Sequence, residues 1–69
     1  MNNEIIFYIE DADDGTYTAR ALGYPIFTDG ESIEELRNNI RDAVTCHFEE
    51  NQAPQILRLH FVREEAIAL

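Results

Sequence analysis

Four acidic residues crowd one short segment and are the first candidates for chemistry. Glu10, Asp11, Asp13 and Asp14 lie close together, directly before Gly15. Carboxylates at this density could bind a divalent cation. Their spacing, however, lacks the alternating ligands, central glycine and terminal glutamate of a calcium-binding loop. We therefore expect no metal here, and we interpret the segment as a solvated turn whose aspartates hydrogen-bond to the nearby backbone.

A cysteine, Cys46, and a histidine, His47, are adjacent and suggest a thiolate and its base. Neighbours on a helix point about 100° apart and do not face each other. With no third orienting group and no oxyanion donor in the pattern, we expect no nucleophilic catalysis and no cofactor. A second histidine, His60, shares its strand face with Arg58 and Val62, which favours a contact surface over an active site.

The strands that must position these residues show a period of two. Residues 4–10 alternate with apolar side chains on both faces, and the Asp-Gly turn after them predicts a hairpin into a Thr- and Tyr-rich strand over residues 16–22. Residues 26–28 form a short third strand, and residues 55–63 a last one. Residues 64–69 could extend that strand or form a helical turn, since their period fits both.

The helix has the strongest local signal in the chain. Ser32 followed by Glu35 forms a capping box, and Glu31 and Glu34 add negative charge at the positive end of the helix dipole. Apolar residues then recur at helical spacing to about Phe48. The stripe predicted to face the sheet comprises Ile33, Leu36, Ile40, Ala43, Val44 and His47.

These elements predict a single α+β domain over residues 1–69, of order β-β-β-α-β, with an antiparallel sheet and one helix packed on one face. The side chains expected under the helix are Ile5, Phe7, Ile9, Tyr17, Ala19, Leu57, Leu59 and Phe61. The opposite face then has no cover, and exposed apolar patches of this kind usually bind protein. We expect an oligomer interface there, formed by Ile6, Tyr8, Arg20, Ile56, Arg58, His60 and Val62.

Composition narrows the possible functions. A chain of 69 residues buries a marginal core, and small domains without disulfides often gain stability by oligomerising, so we expect a homo-oligomer, a dimer or tetramer. A single cysteine cannot form an internal disulfide and gives no sign of an oxidising compartment, so we expect the protein in the cytoplasm. No apolar run approaches the roughly 20 residues that cross a bilayer. The net charge of −9, with five arginines and no lysine, argues against direct nucleic-acid binding. The acidity serves either solubility or a basic protein partner.

The order of these motifs resembles the N-terminal domain of HicB-like antitoxins. That pattern has an aromatic and aliphatic first strand, an acidic turn with glycine, a Tyr-x-Ala strand and a Gly-acidic-Ser/Thr-x-x-Glu helix start. The matching segments here are Phe7-Tyr8-Ile9-Glu10, Asp14-Gly15-Thr16-Tyr17-Thr18-Ala19, Thr28-Asp29-Gly30-Glu31-Ser32-Ile33-Glu34-Glu35-Leu36 and Asn39-Ile40-Arg41-Asp42-Ala43.

The resemblance implies a partial ribonuclease-H-like sheet and an antitoxin-like function, namely binding and occluding HicA, a small basic RNA-cleaving toxin. We expect Asp11, Asp13 and Asp14 to contact such a partner. A nuclease would need several inward carboxylates on strands, and Glu10 is the only strand-end candidate, so we expect no enzyme. The alternatives are a stand-alone oligomeric adaptor without a toxin partner and, third, an RNA hydrolase. The DNA-binding domain of full-length family members is not found in these 69 residues, so we expect no operator binding by them.

Overall fold

A computed structural model describes residues 3–12, 14–49 and 51–69. It confirms the predicted α+β fold of order β-β-β-α-β. The elements are β1 (Glu4–Asp11), β2 (Tyr17–Ala21), β3 (Phe27–Gly30), α1 (Ile33–His47) and β4 (Ile56–Val62).

The four strands form one sheet in the order β3-β2-β1-β4. Strands β1 and β2, and strands β2 and β3, pair antiparallel as predicted. Strand β4 pairs with β1 in parallel, so the sheet is mixed and not wholly antiparallel. The physical reason is that α1 carries the chain back along the sheet between β3 and β4, and a crossover of this kind ends in a parallel strand.

The acidic segment forms the β1–β2 turn, as predicted. The Ala12 N–H donates to the Thr16 carbonyl over 2.8 Å, and the Gly15 N–H donates to the Ala12 carbonyl over 3.1 Å. Gly15 has a φ of +88°, in the left-handed region where glycine lacks the steric cost of a side chain. Asp13 lies outside the described residues.

The helix begins at the predicted cap. The Ser32 hydroxyl accepts a hydrogen bond of 3.1 Å from the Glu35 N–H. The Glu35 carboxylate reaches one residue further back than in a standard capping box and accepts from the Glu31 N–H over 3.3 Å. At its other end the helix stops at His47, and Phe48 is the C-cap.

The core lies between α1 and the sheet, with the central strand β1 supplying its largest side chains. The buried residues include Ile5, Phe7 and Ile9 from the strand and Leu36, Ile40 and Val44 from the helix. Tyr17, Leu57 and Leu59 pack against this core but remain partly exposed.

Two expectations about the core are wrong. Phe61 is 51% exposed, because it belongs to the edge strand β4, where α1 gives it little cover. His47, predicted on the buried helix stripe, is also exposed, because it is in the last helical turn. In addition, Ile26, predicted to lie in the short third strand, is buried just before β3.

Residues 63–69 form neither helix nor strand. This final segment, residues 64–69, which we call the tail, is exposed throughout, with Ile67 81% exposed. Among the described residues no helix is long and apolar enough to cross a membrane.

Candidate functional site

The topology gathers acidic residues at one end of the sheet. Strand register places Asp11 beside Tyr17 and Tyr17 beside Gly30, while Glu10 lies beside Val62. The ends of β1, β3 and β4 and the start of α1 therefore lie at the same end. We call this end the acidic pole. Its members, nine of the twelve acidic residues described, are Glu10, Asp11, Asp14, Asp29, Glu31, Glu34, Glu35, Glu64 and Glu65.

The turn aspartates predicted to bind a partner belong to this pole, with the exception of Asp13, which is outside the described residues. Asp11 and Asp14 are both exposed. The Asp14 carboxylate accepts hydrogen bonds from the Thr16 hydroxyl over 2.7 Å and from the Thr16 N–H over 3.1 Å. These two bonds hold the pKa of Asp14 below its usual value because they stabilise the charged form, and the bond from the hydroxyl has the larger effect.

Metal binding has no geometric support in the described ranges. Among them, no group of three or more His, Cys, Asp or Glu side chains is arranged to hold an ion. The Asp14 carboxylate is already used by Thr16, so it acts within the turn.

An apolar cleft opens at the acidic pole on the helix side of the sheet. Its volume is about 140 Å³. Ile9, Tyr17, Phe61 and Val62 form its walls, and Asp11 and Arg63 lie at its polar margin. A cavity of about 150 Å³ accepts a molecule the size of benzene. The cleft is therefore large enough for one aliphatic side chain or one small aromatic ring.

All seven residues predicted to form the oligomer interface share the face of the sheet opposite the helix, which we call the outer face. The register gives this directly, since Tyr8 pairs with Arg20 on one side and with His60 on the other, and Ile6 pairs with Arg58. Ile56 and Val62 lie on the same face of β4, two residues from Arg58 and His60.

Side chains within the chain already cover the centre of the outer face. The His60 ring stacks on the Tyr8 ring with centroids 5.6 Å apart and an interplanar angle of 23°. The Arg20 guanidinium lies 5.7 Å from the centroid of the same ring. The Tyr8 ring is shielded in this way, so the most exposed apolar side chains of the outer face lie at its margins. Phe27, paired with Arg20, is 65% exposed there. It was not among the predicted interface residues, because a strand as short as β3 shows no clear period of two.

Arg58 makes an ion pair with Glu4. Its guanidinium donates two hydrogen bonds, of 2.9 and 3.1 Å, to one carboxylate oxygen of Glu4. Both side chains are in contact with solvent, so this pair adds at most about 1 kcal/mol of stability. It does fix the start of β1 to β4.

Cys46 and His47 lie at the end of α1, where His47 contacts aromatic rings. The His47 ring makes edge contacts with Phe48 and Tyr24, with centroids 4.9 and 6.1 Å apart. Tyr24 in turn packs edge-on against Phe48 at 5.2 Å. His47 thus belongs to an aromatic cluster at the end of the helix, while Cys46 is an exposed free thiol.

Comparison with known proteins identifies relatives over most of the chain. A UPF0150 protein of Archaeoglobus fulgidus is 56% identical over 52 residues, which are 75% of this chain and 77% of the relative. A UPF0150 protein of Thermotoga maritima is 42% identical over 66 residues, covering 96% of this chain and 93% of the relative. No family model matches the chain. No solved structure matches it either.

Proposed function

We propose that this chain, which belongs to the UPF0150 family, is an antitoxin-like module that binds and occludes a small basic protein. The observation that supports this most directly is the acidic pole, where the fold brings together acidic residues that are far apart in sequence. A basic surface is the complement of such a pole, and opposite potentials accelerate encounter and exclude wrong partners.

The apolar cleft adds a pocket for a side chain of the partner, which a purely charged surface lacks. Binding energy in protein interfaces concentrates in a few side chains that enter pockets, while the surrounding charges mainly determine association rate and orientation. Phe61 and Tyr17 provide partly exposed aromatic walls at the acidic pole. The partner thus places one apolar side chain in this cleft, with basic residues around it.

The resemblance to HicB-like antitoxins identifies the class of partner. HicA-type toxins are small and basic, and they cleave RNA, so an acidic protein that covers their basic surface would also block access of the substrate. The Gly-acidic-Ser-x-x-Glu segment that carries the resemblance, Gly30 to Glu35, contributes three acidic side chains to the pole: Glu31, Glu34 and Glu35. The resembling motif and the proposed site therefore coincide.

A stand-alone oligomeric adaptor is the second candidate function. It is favoured by the outer face, which α1 does not cover and which exposes Phe27 and Ile56 at its margins. The two functions differ in their dependence on salt. Binding of a basic partner weakens as ionic strength rises, whereas apolar self-association does not.

The test is capture of partners from a lysate of the source organism, followed by association kinetics with any small basic protein recovered. The double variant Asp11→Asn/Asp14→Asn should lower the association rate several-fold and leave dissociation nearly unchanged, since these exposed charges act at long range. The matched control is Asp42→Asn/Glu49→Gln, which removes the same charge away from the acidic pole. Backbone amide signals of Tyr17 and Phe61 should shift on titration with the partner.

Two results would contradict the proposal. One is recovery of no basic protein. The other is an association rate that responds neither to salt nor to the Asp11/Asp14 variant, and either result would leave the adaptor as the better candidate.

A further inference from the structure

β4 is the longer of the two edge strands of the sheet, and its outer edge pairs with no strand among the described residues. β4 lies at the end of the sheet and pairs with β1 along one side only. Natural proteins protect such edges with lysine, proline, bulges or very short strands. β4 is seven residues long, reads Ile-Leu-Arg-Leu-His-Phe-Val, and contains neither lysine nor proline. We propose that this edge pairs antiparallel with β4 of a second copy, so that two four-stranded sheets become one of eight strands.

The residue pattern of β4 is self-complementary about its centre. With a two-fold axis at Leu59, the helix-side pairs would be Leu59 with Leu59 and Leu57 with Phe61 of the second copy. On the outer face, Ile56 would pair with Val62. Every apolar residue of the strand thus meets another apolar residue, on both faces, and such directly opposed pairs are the unit of sheet stabilisation. Leu57 and Leu59, left partly exposed by α1, gain cover.

Neighbouring registers are less favourable. A change of register that keeps every side chain on the same face of the sheet moves the two-fold axis to Arg58 or to His60. The first places two Arg58 guanidinium groups directly opposite each other, which is repulsive, and the second places His60 against His60 and Arg58 against Val62. Both also shorten the overlap. The register centred on Leu59 pairs Arg58 with His60 and places no two arginines opposite each other.

Charge distribution is compatible with this arrangement although each chain has a net charge of −9. β4 runs toward the acidic pole, because its Val62 lies beside Glu10. Antiparallel pairing of two β4 strands therefore places the two acidic poles at opposite ends of the dimer. The axis is perpendicular to the sheet, so both helices cover the same face, and the parts of the acidic poles contributed by β1, β3 and α1 remain accessible.

The same register provides a binding site for the tail. Beyond β4 the strand directions place Arg63 of the second copy opposite Gln55, and its Glu64 opposite Pro54. At this point a groove of about 460 Å³ opens on the helix side, with Val44, Pro54 and Leu57 among its walls and Arg41 at its margin.

The tail has the composition that this groove requires. Continued alternation from Phe61 directs Glu65, Ile67 and Leu69 to the helix side. Ile67 is 81% exposed in the isolated chain and would be covered by the apolar walls, while Glu65 would meet Arg41. The tail belongs to no helix or strand and is exposed in the isolated chain, so it can reach the second copy.

Cross-linking tests the register. In a Cys46→Ser background, Leu59→Cys places the thiol next to its own copy across the axis and should form disulfide dimers on mild oxidation. Leu57→Cys alone should not, since Phe61 is opposite, but a mixture of the Leu57→Cys and Phe61→Cys variants should. Failure of Leu59→Cys to cross-link, in a variant with a wild-type circular dichroism spectrum, would overturn this register.

Sedimentation equilibrium tests the dimer with substitutions in the tail, which lies outside the fold. Ile67→Asp should raise the dimer dissociation constant about tenfold, as expected for loss of one buried aliphatic side chain. Ala66→Asp, with the same charge change on the other side of the tail, is the control and should have little effect. Arg41→Glu and Glu65→Arg should each weaken the dimer, and their combination should restore it.

The outcomes also separate edge pairing from stacking of two outer faces. Phe27→Asp lies on the outer face and far from the β4 edge, so it should leave the dimer intact. The proposal would be contradicted if Phe27→Asp dissociated the dimer and Ile67→Asp did not. It would also be contradicted if the wild-type chain remained monomeric at high micromolar concentration. Because none of these measurements involves a basic protein, they stand or fall independently of the proposed antitoxin-like function.

Discussion

Gly30 approaches the backbone of Leu36 so closely that a side chain at position 30 has no room. A Cβ atom on Gly30 would lie 2.7 Å from the Leu36 nitrogen and 2.8 Å from its Cα. Gly30 is buried at the end of β3, and the first helical turn packs directly on it. This contact determines how tightly the start of α1, with its acidic residues, is held against the sheet.

Gly30→Ala should therefore destabilise the fold by about 2 kcal/mol or more, since the contact is with backbone that cannot rotate away. The measurement is urea unfolding followed by circular dichroism. Gly15→Asn is the informative comparison, because the left-handed turn at Gly15 has no neighbour within contact distance and asparagine tolerates that conformation. A loss as large in Gly15→Asn as in Gly30→Ala would show that close packing is not the cause.

Ser32→Ala should cost about 1 kcal/mol of unfolding free energy, because it removes the acceptor of the Glu35 N–H at the helix start. Thermal unfolding measures the loss, and Ser32→Asp, which keeps a cap acceptor, serves as the control. Equal melting temperatures for wild type and Ser32→Ala would mean that the hydroxyl contributes no stability.

The stacked Tyr8 and His60 rings should be energetically coupled. A double-mutant cycle of Tyr8→Ala and His60→Ala, measured by chemical denaturation, should give an interaction energy of about 0.5 to 1 kcal/mol. The cycle is run at protein concentrations low enough to exclude dimers. Strictly additive effects would indicate that the stacked geometry contributes nothing beyond burial of each ring.

The turn carboxylate gives a pH dependence of known sign. The pKa of Asp14 is lower in the folded chain than in the unfolded chain, because Thr16 donates to the charged form. Its contribution to stability is thus present above the unfolded pKa and is lost as pH falls through the folded pKa. Carboxyl NMR titration should show the lowered pKa in wild type and a value nearer the usual range in Thr16→Val. An unchanged Asp14 titration in Thr16→Val would assign the shift to another cause.

Local chemistry made much of the fold predictable from sequence. The Ser32 cap, the Asp14-Gly15 turn and the alternation of residues 4–10 are signals whose causes lie within a few residues, and the structure confirms each of them. Placement of the predicted interface residues on one face followed from the same period of two.

The sequence patterns did not predict how distant elements of the chain are arranged relative to one another. The parallel pairing of β4 with β1 depends on where α1 returns the chain, and the exposure of Phe61 depends on how far that helix extends over the edge strand. The acidic pole was predicted only in part, from the turn, because Asp29, Glu31 and Glu64 become neighbours of Asp11 through sheet register alone. The role of Gly30 was also missed, since a turn glycine and a packing glycine are indistinguishable in sequence.

The central position of β1 has a consequence for synthesis of the chain. Among the described strands, β1 is translated before the others and β4 after them, and their pairing joins Glu4 to Arg58, 54 residues apart. Until β4 leaves the ribosome, one edge of β1 has no neighbour, and completion of the sheet must wait for a contact between residues far apart in sequence. Such non-local closure slows folding and lengthens the time during which apolar strands are exposed to aggregation. During synthesis of this chain, the edge of β1 that faces β4 is therefore unpaired until β4 is available.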